Sequence, residues 1–187
     1  KEDINISIWE RELSKEIITA SEEALRDRPE FELSELVKPD ETKDMLIEKM
    51  SSSESMFCLY DDISNLVGTF CDLFKFSNAW LRIDAIDKPM CPRFHADYNK
   101  CRLLTTYVGP GTQWLPSPIV DRTKLGSGNL GQPDHESGLY LKDSAIQQLQ
   151  SGDVALIKGE AWGTNQGSGL VHRSPHTKES YKRLYLT

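Results

Sequence analysis

The chain has 187 residues, enough for one domain with an apolar core, and carries 22 Lys plus Arg against 29 Asp plus Glu, a net charge of -7 at pH 7. That acidic surplus repels polyanions and argues against nucleic acid as a partner, while no run approaches the ~18 consecutive apolar residues that span a bilayer, which argues against a membrane. The opening Lys1-Glu-Asp3 lacks the order of a signal peptide. Four cysteines, Cys58, Cys71, Cys91 and Cys101, form no Cys-x-x-Cys pair, and together these features predict a soluble, cytoplasmic protein with reduced thiols.

Trp9, Leu13, Ile17, Ala20, Ala24 and Leu25 recur at three- and four-residue steps until Pro29, the spacing of an amphipathic helix. Asp40 is placed to cap a second helix carrying Met45, Leu46 and Met50. A third helix is predicted from Met56 to Phe74, where Leu59, Ile63, Leu66, Val67, Phe70 and Phe74 keep helical register. Beyond residue 78 the texture changes to short strand-like runs: Trp80–Ile86, Arg102–Val108, Val154–Ile157, Leu170–Arg173 and Tyr181–Leu186. The pattern predicts one α+β domain over residues 1–187, in which a mainly helical buttress (1–77) packs on an antiparallel barrel or sandwich (78–187). Pro116–Ser137, rich in Pro, Gly, Ser and Asp, reads as a long loop or lid.

Within that loop Gly126-Ser-Gly-Asn-Leu-Gly131 matches the dinucleotide fingerprint letter for letter. Its context does not: no apolar strand precedes it, and Pro133 would stop the helix on which the pyrophosphate must sit.

The chemistry gathers elsewhere. In Cys91-Pro-Arg-Phe-His-Ala-Asp-Tyr98, His95 and Asp97 stand two apart, so on an extended backbone both side chains reach the same side. An imidazole and a carboxylate suit a divalent ion, but with four histidines in the chain a chance His-x-Asp arises in about one such sequence in three. A third ligand raises the odds: Gly169-Leu-Val-His172-Arg-Ser-Pro175 sets a histidine in an apolar strand-like run. Two histidines and one carboxylate on one octahedral face leave three positions open, the arrangement used by Fe(II) oxygenases. If His172 and Arg183 occupy the two arms of a hairpin turning near Thr177 and Lys178, they face each other, and a guanidinium beside the metal offers a fork for a carboxylate. His135 and His176, in loop contexts, read as ordinary hydrogen-bonding residues.

On these residues the segment 91–187 resembles the 2-oxoglutarate/Fe(II) oxygenase superfamily, whose fold is a double-stranded β-helix, a jelly-roll or cupin-like barrel. Gly152-Asp153 before the apolar Val154–Ile157 is similar to that superfamily's turn before the distal histidine. More closely, Cys-Pro-Arg-Phe-His, Gly-Pro-Gly-Thr-x-Trp and Val-His-Arg-Ser-Pro resemble a bacterial domain-of-unknown-function family. The superfamily resemblance implies an Fe(II)- and 2-oxoglutarate-dependent dioxygenase acting on a small molecule or peptide. His95, Asp97 and His172 would be its metal ligands. Arg183 would bind the distal carboxylate of 2-oxoglutarate, aided by Tyr107, with Arg173 as the other choice of clamp. Gly109–Trp114 and the 116–137 loop would supply substrate walls, while Trp114 and Trp162 read equally as core aromatics. The alternative is a cupin-like metal protein without oxygenase activity, in which Cys91 or Cys101 joins His95 to favour zinc.

Overall fold

The computed structural model describes residues 4–163, 167–175 and 182–187, and shows a mixed α and β chain with antiparallel sheets and three α-helices. Two compact units emerge, each assembled from separate stretches: one from Lys1–Arg11, Lys88–Thr106 and Pro110–Tyr181, the other from Glu12–Asp87, Tyr107–Gly109 and Lys182–Thr187. Among the described residues no helix is long and apolar enough to cross a membrane.

In the first unit β1 (Ile6–Trp9), β7 (Val154–Lys158) and β4 (Cys101–Val108, to Thr106) form one antiparallel ladder, with β7 in the middle. The Gly152-Asp153 turn launches β7. Gly152 sits at φ 95°, where a side chain would be strained, its N–H donates to Thr106 O, and Asp153 Oδ2 caps Gln150 N at 2.7 Å. A second sheet has the order β6 (Gln147–Gln148), β5 (Gln113–Leu115), β8 (Val171–Arg173). Leu115 and Val171 pair across it and, with Phe94, Leu139 and Tyr140, make a small apolar core against which Val120, Leu125 and Ile146 pack. The 116–137 segment therefore contributes to the filling of that sheet face rather than standing free as a lid. Gly126–Asn129 form a 3-10 turn entered from another, Arg122–Lys124, a path unlike the strand-to-helix junction of a dinucleotide site.

In the second unit β2 (Glu32–Val37), β3 (Ala79–Ile86) and β9 (Arg183–Leu186) pair antiparallel around β3. Helix α1 spans Lys15–Asp27, α2 Thr42–Lys49 and α3 Phe57–Phe74. α1 starts later than its periodicity implies: Ser14 Oγ caps Ile17 N, and Trp9 belongs to β1, because Ile6–Trp9 finds a partner strand that local spacing cannot reveal. Asp40 does not cap α2; Glu41 holds that position without a side-chain bond, and Thr42 Oγ1 ties back to Lys38 O at 2.7 Å. α3 buries Leu59, Tyr60, Ile63, Leu66, Val67 and Cys71 and ends where Lys75 turns left-handed at φ 56°, with Phe76 N bonded to Cys71 O.

Candidate metal centre

His172 is the middle residue of β8. On one edge it stands across from Trp114 of β5, and on the other it exchanges two backbone bonds with His95, His95 N to His172 O at 3.0 Å and His172 N to His95 O at 2.9 Å. A strand has two edges, and both are taken here. The expected hairpin between His172 and Arg183 is therefore not formed; β9 pairs with β3 instead, Arg183 across from Ile86.

Cross-strand partners share a sheet face, so His95, His172, Trp114 and, next on β6, Gln147 lie in one row. The alternating residues confirm the division. Arg173 donates to Gln113 Oε1 at 2.8 Å and stacks on Phe94 at 4.2 Å, and Gln113 reaches Gln148, all on the opposite face with the apolar core.

Asp97 enters two residues after His95, its carbonyl held by Glu160 N at 2.8 Å. Gly159 permits that approach, since a Cβ there would stand 2.2 Å from Asn99 O and 2.8 Å from Asp97 O. The carboxylate meets both imidazoles: Asp97 Oδ1 is 3.4 Å from His95 Nε2, and Oδ2 is 3.7 Å from His172 Nε2. The two rings are 4.6 Å apart. One ligand atom from each of the three residues lies within 4.8 Å of the others. Among the described residues this is the one group of three such side chains close enough to share an ion, and no cysteine belongs to it. Cys91 is exposed and Cys101 half-buried on β4, and among the described residues neither joins His95 as the alternative zinc reading requires.

Each histidine is oriented by its own backbone. His95 Nδ1 meets Arg93 O at 2.9 Å and His172 Nδ1 meets Leu170 O at 3.0 Å. A carbonyl only accepts, so both Nδ1 atoms carry hydrogen and both Nε2 atoms face Asp97; His172 Nε2 keeps its lone pair, whereas His95 Nε2 carries a proton when it donates to the carboxylate. Both Nδ1–H groups are thus held as metal ligation requires, and an incoming ion has only to displace the Nε2 proton of His95.

Burial pushes His172 down to about 4, keeping it a neutral donor, against the pull of the Asp97 charge. His95, half-exposed, is raised, chiefly by its hydrogen bond to Asp97. Burial works to raise Asp97, yet the hydrogen bond from His95 and the nearby His172 and Arg102 outweigh it and hold the carboxyl at about 2. Asp97 Oδ2 is buried with no hydrogen bond, although Arg102 Nη1 stands 3.1 Å away as an ion pair. Two imidazole Nε2 atoms, an ionised carboxylate and an orphaned carboxylate oxygen fit a divalent ion, whose bonds of about 2 Å small side-chain rotations would reach.

The three other residues named from the sequence have partners of their own. Arg183, 2% exposed, lies in the second unit with its guanidinium over Tyr185. Tyr107 donates its hydroxyl to Asp62 at 2.6 Å. Arg173 is turned to the opposite face and paired with Asp134, 3.2 Å from Nη1 to Oδ2. The cation at the cluster is Arg102, whose only sequence signal was a charge near the start of an otherwise apolar strand. His135 is exposed beside Glu136, and His176 lies outside the described residues.

The family model described as "Protein of unknown function (DUF1826)" matches residues 1–187. No curated protein matches the chain. Among solved structures, a C-terminally truncated protein of Neurospora crassa in apo form is similar at 13% identity, with 91% of this chain and 74% of that one covered and a TM-score of 0.38. A likeness that slight assigns neither fold nor chemistry.

Proposed function

The chain belongs to the DUF1826 family, and from that premise we propose that it is a metal-dependent oxidoreductase, an Fe(II)- and 2-oxoglutarate-dependent dioxygenase. The observation that carries this reading is the convergence of His95, Asp97 and His172, from segments far apart in the chain, with both Nε2 atoms turned toward one carboxylate. The motif resemblance of residues 91–187 supports it and brings with it the double-stranded β-helix as the architecture.

His95, Asp97 and His172 would hold the ion. Bound there, Fe(II) would leave three positions for a chelating 2-oxo acid and O₂ and supply the electrons that activate oxygen. Arg102 is the cation within reach, and its guanidinium offers a bidentate grip for a carboxylate of the co-substrate. Trp114, half-buried beside His172 on the same sheet face, gives the site an apolar wall that holds substrate and restricts water. The substrate is a small molecule or an exposed peptide side chain.

Anaerobic titration of the chain with Fe(II) and then 2-oxoglutarate tests the reading. A metal-to-ligand absorption band should grow to one equivalent, and succinate should appear on adding oxygen. Stoichiometric zinc with no such band would favour the metal-binding protein without oxygenase chemistry, and no metal under any reconstitution would end both.

A further inference from the structure

Behind the metal-facing row lies a buried carboxylate that this chemistry has not used. Asp134, 7% exposed, sits in the 116–137 segment and gathers three donors: Arg93 Nε to Oδ1 at 2.8 Å, Phe94 N to Oδ2 at 3.0 Å and Arg173 Nη1 to Oδ2 at 3.2 Å. Arg93 also donates to Gln132 O, and Ser137 Oγ donates to Asp134 O, so the loop is fixed around the carboxylate.

These partners flank both histidines. Arg93 and Phe94 immediately precede His95, and Arg173 immediately follows His172. The N–H of Phe94 and the C=O of Arg93 belong to one peptide group, and that carbonyl accepts the Nδ1–H of His95 at 2.9 Å. A continuous line therefore runs from carboxylate to peptide N–H, through the peptide to its carbonyl, and on to the imidazole.

We propose that Asp134 is the positioning residue of the metal centre, acting on His95 through the Arg93–Phe94 peptide and pinning Arg173 beside His172. The proposal rests on the metal reading above. A negative charge on the N–H side of a peptide draws its electrons toward the carbonyl, which then accepts more strongly and makes the imidazole Nε2 a better donor to a metal. The same oxygen, Oδ2, holds Phe94 N on one side of the His95–His172 bridge and Arg173 on the other, so the register of the two ligand segments depends on it. A carboxylate is required because three donors converge, two of them guanidinium groups; an amide would turn an N–H₂ toward one of them.

Asp134→Asn tests this, with Co(II) as the probe. The variant should bind Co(II) about 10- to 100-fold more weakly, the usual loss for an outer partner of a metal-bound histidine. The His95 Nδ1–H proton, followed by NMR in the ¹⁵N-histidine chain without metal, should move to higher field. Ser137→Ala, which loosens the same loop but leaves the carboxylate, should keep wild-type affinity within about twofold. Should Asp134→Asn fail to fold, Asp134→Asn with Arg93→Gln removes one charge of each sign and is read the same way. A folded variant with wild-type Co(II) affinity and an unmoved His95 proton would overturn the positioning role alone. A wild-type chain that takes up no Co(II) would overturn the metal reading and this role with it.

Discussion

His95 and His172 exchange both of their backbone hydrogen bonds, so the two imidazoles are delivered to the same face by the pairing itself and not by side-chain flexibility. If both are ligands, neither is dispensable. His95→Ala and His172→Ala should each lower Co(II) affinity by more than the about 10- to 100-fold that loss of an outer partner costs. Calorimetric titration checks this; binding within tenfold of wild type by either variant contradicts the assignment.

Arg102 separates co-substrate binding from metal binding. Arg102→Leu should weaken 2-oxoglutarate about 10- to 100-fold, the loss of a charge-assisted hydrogen-bonded pair worth roughly 1.5–3 kcal/mol, with metal affinity changed much less. Arg102→Lys should recover part of it. Following the absorption band during anaerobic titration gives both constants, and an unchanged 2-oxoglutarate affinity would return the clamp to a residue outside this cluster.

The metal-free protein should lose stability on mild acidification. His172 stays neutral in the fold down to about 4, whereas in the unfolded chain it protonates near its ordinary 6.5. Between those values the unfolded state binds the extra proton, so stability falls as pH drops through that window, by on the order of 3 kcal/mol. His95 acts in a different range: raised in the fold, it contributes fully below 6.5 and loses that contribution as pH climbs above it. Asp97, held at about 2, contributes above 3.8 and loses its share only as pH falls toward 2. Thermal melting across a pH series should show the decline from 6.5 to 4, and His172→Gln should flatten it; an equally steep profile in that variant would discount the buried imidazole as its source.

Trp114 should report metal occupancy. It stands across β5 and β8 from His172, where facing Cβ atoms are about 5 Å apart, so Cu(II) at the site should quench its fluorescence strongly. The chain has four tryptophans, and Trp114→Phe should remove the larger part of the quench while Trp9→Phe, at the far end of the β1–β7 ladder in the same unit, leaves it intact. Equal quenching in both variants would place the ion elsewhere.

Much of the architecture was readable from spacing. α3 matches its apolar periodicity to within a residue, and β3, β4 and β7 fall where the strand-like runs predict. The His-x-Asp pair and the distal histidine converge as their residue types suggested. The misread strands share one physical cause: a strand's partner is decided by non-local pairing. β1, β5 and β6 are two to four residues long and exist only because a neighbour bonds them, so no local pattern announces them. The same limit undid the hairpin expected between His172 and Arg183. The hairpin arithmetic was sound for two adjacent arms, but β8 was already flanked by Trp114 and His95. Asp134 was invisible for another reason, since one acid in a stretch of Gly, Pro and Ser has no spacing that marks it as buried.

The antiparallel bridge gives a bound ion a mechanical role besides any chemical one. Coordinated by His95 and His172, it would act as a strap across the long span of chain between them, closing the loop that holds β4, β5, β6 and β7 and lowering the entropy gained when that span is released. Stripping the ion would then do more than silence a reaction: the β8 edge would fray first, making the region around Val171–Arg173 the earliest to exchange its amide hydrogens and the first to be cut by a protease.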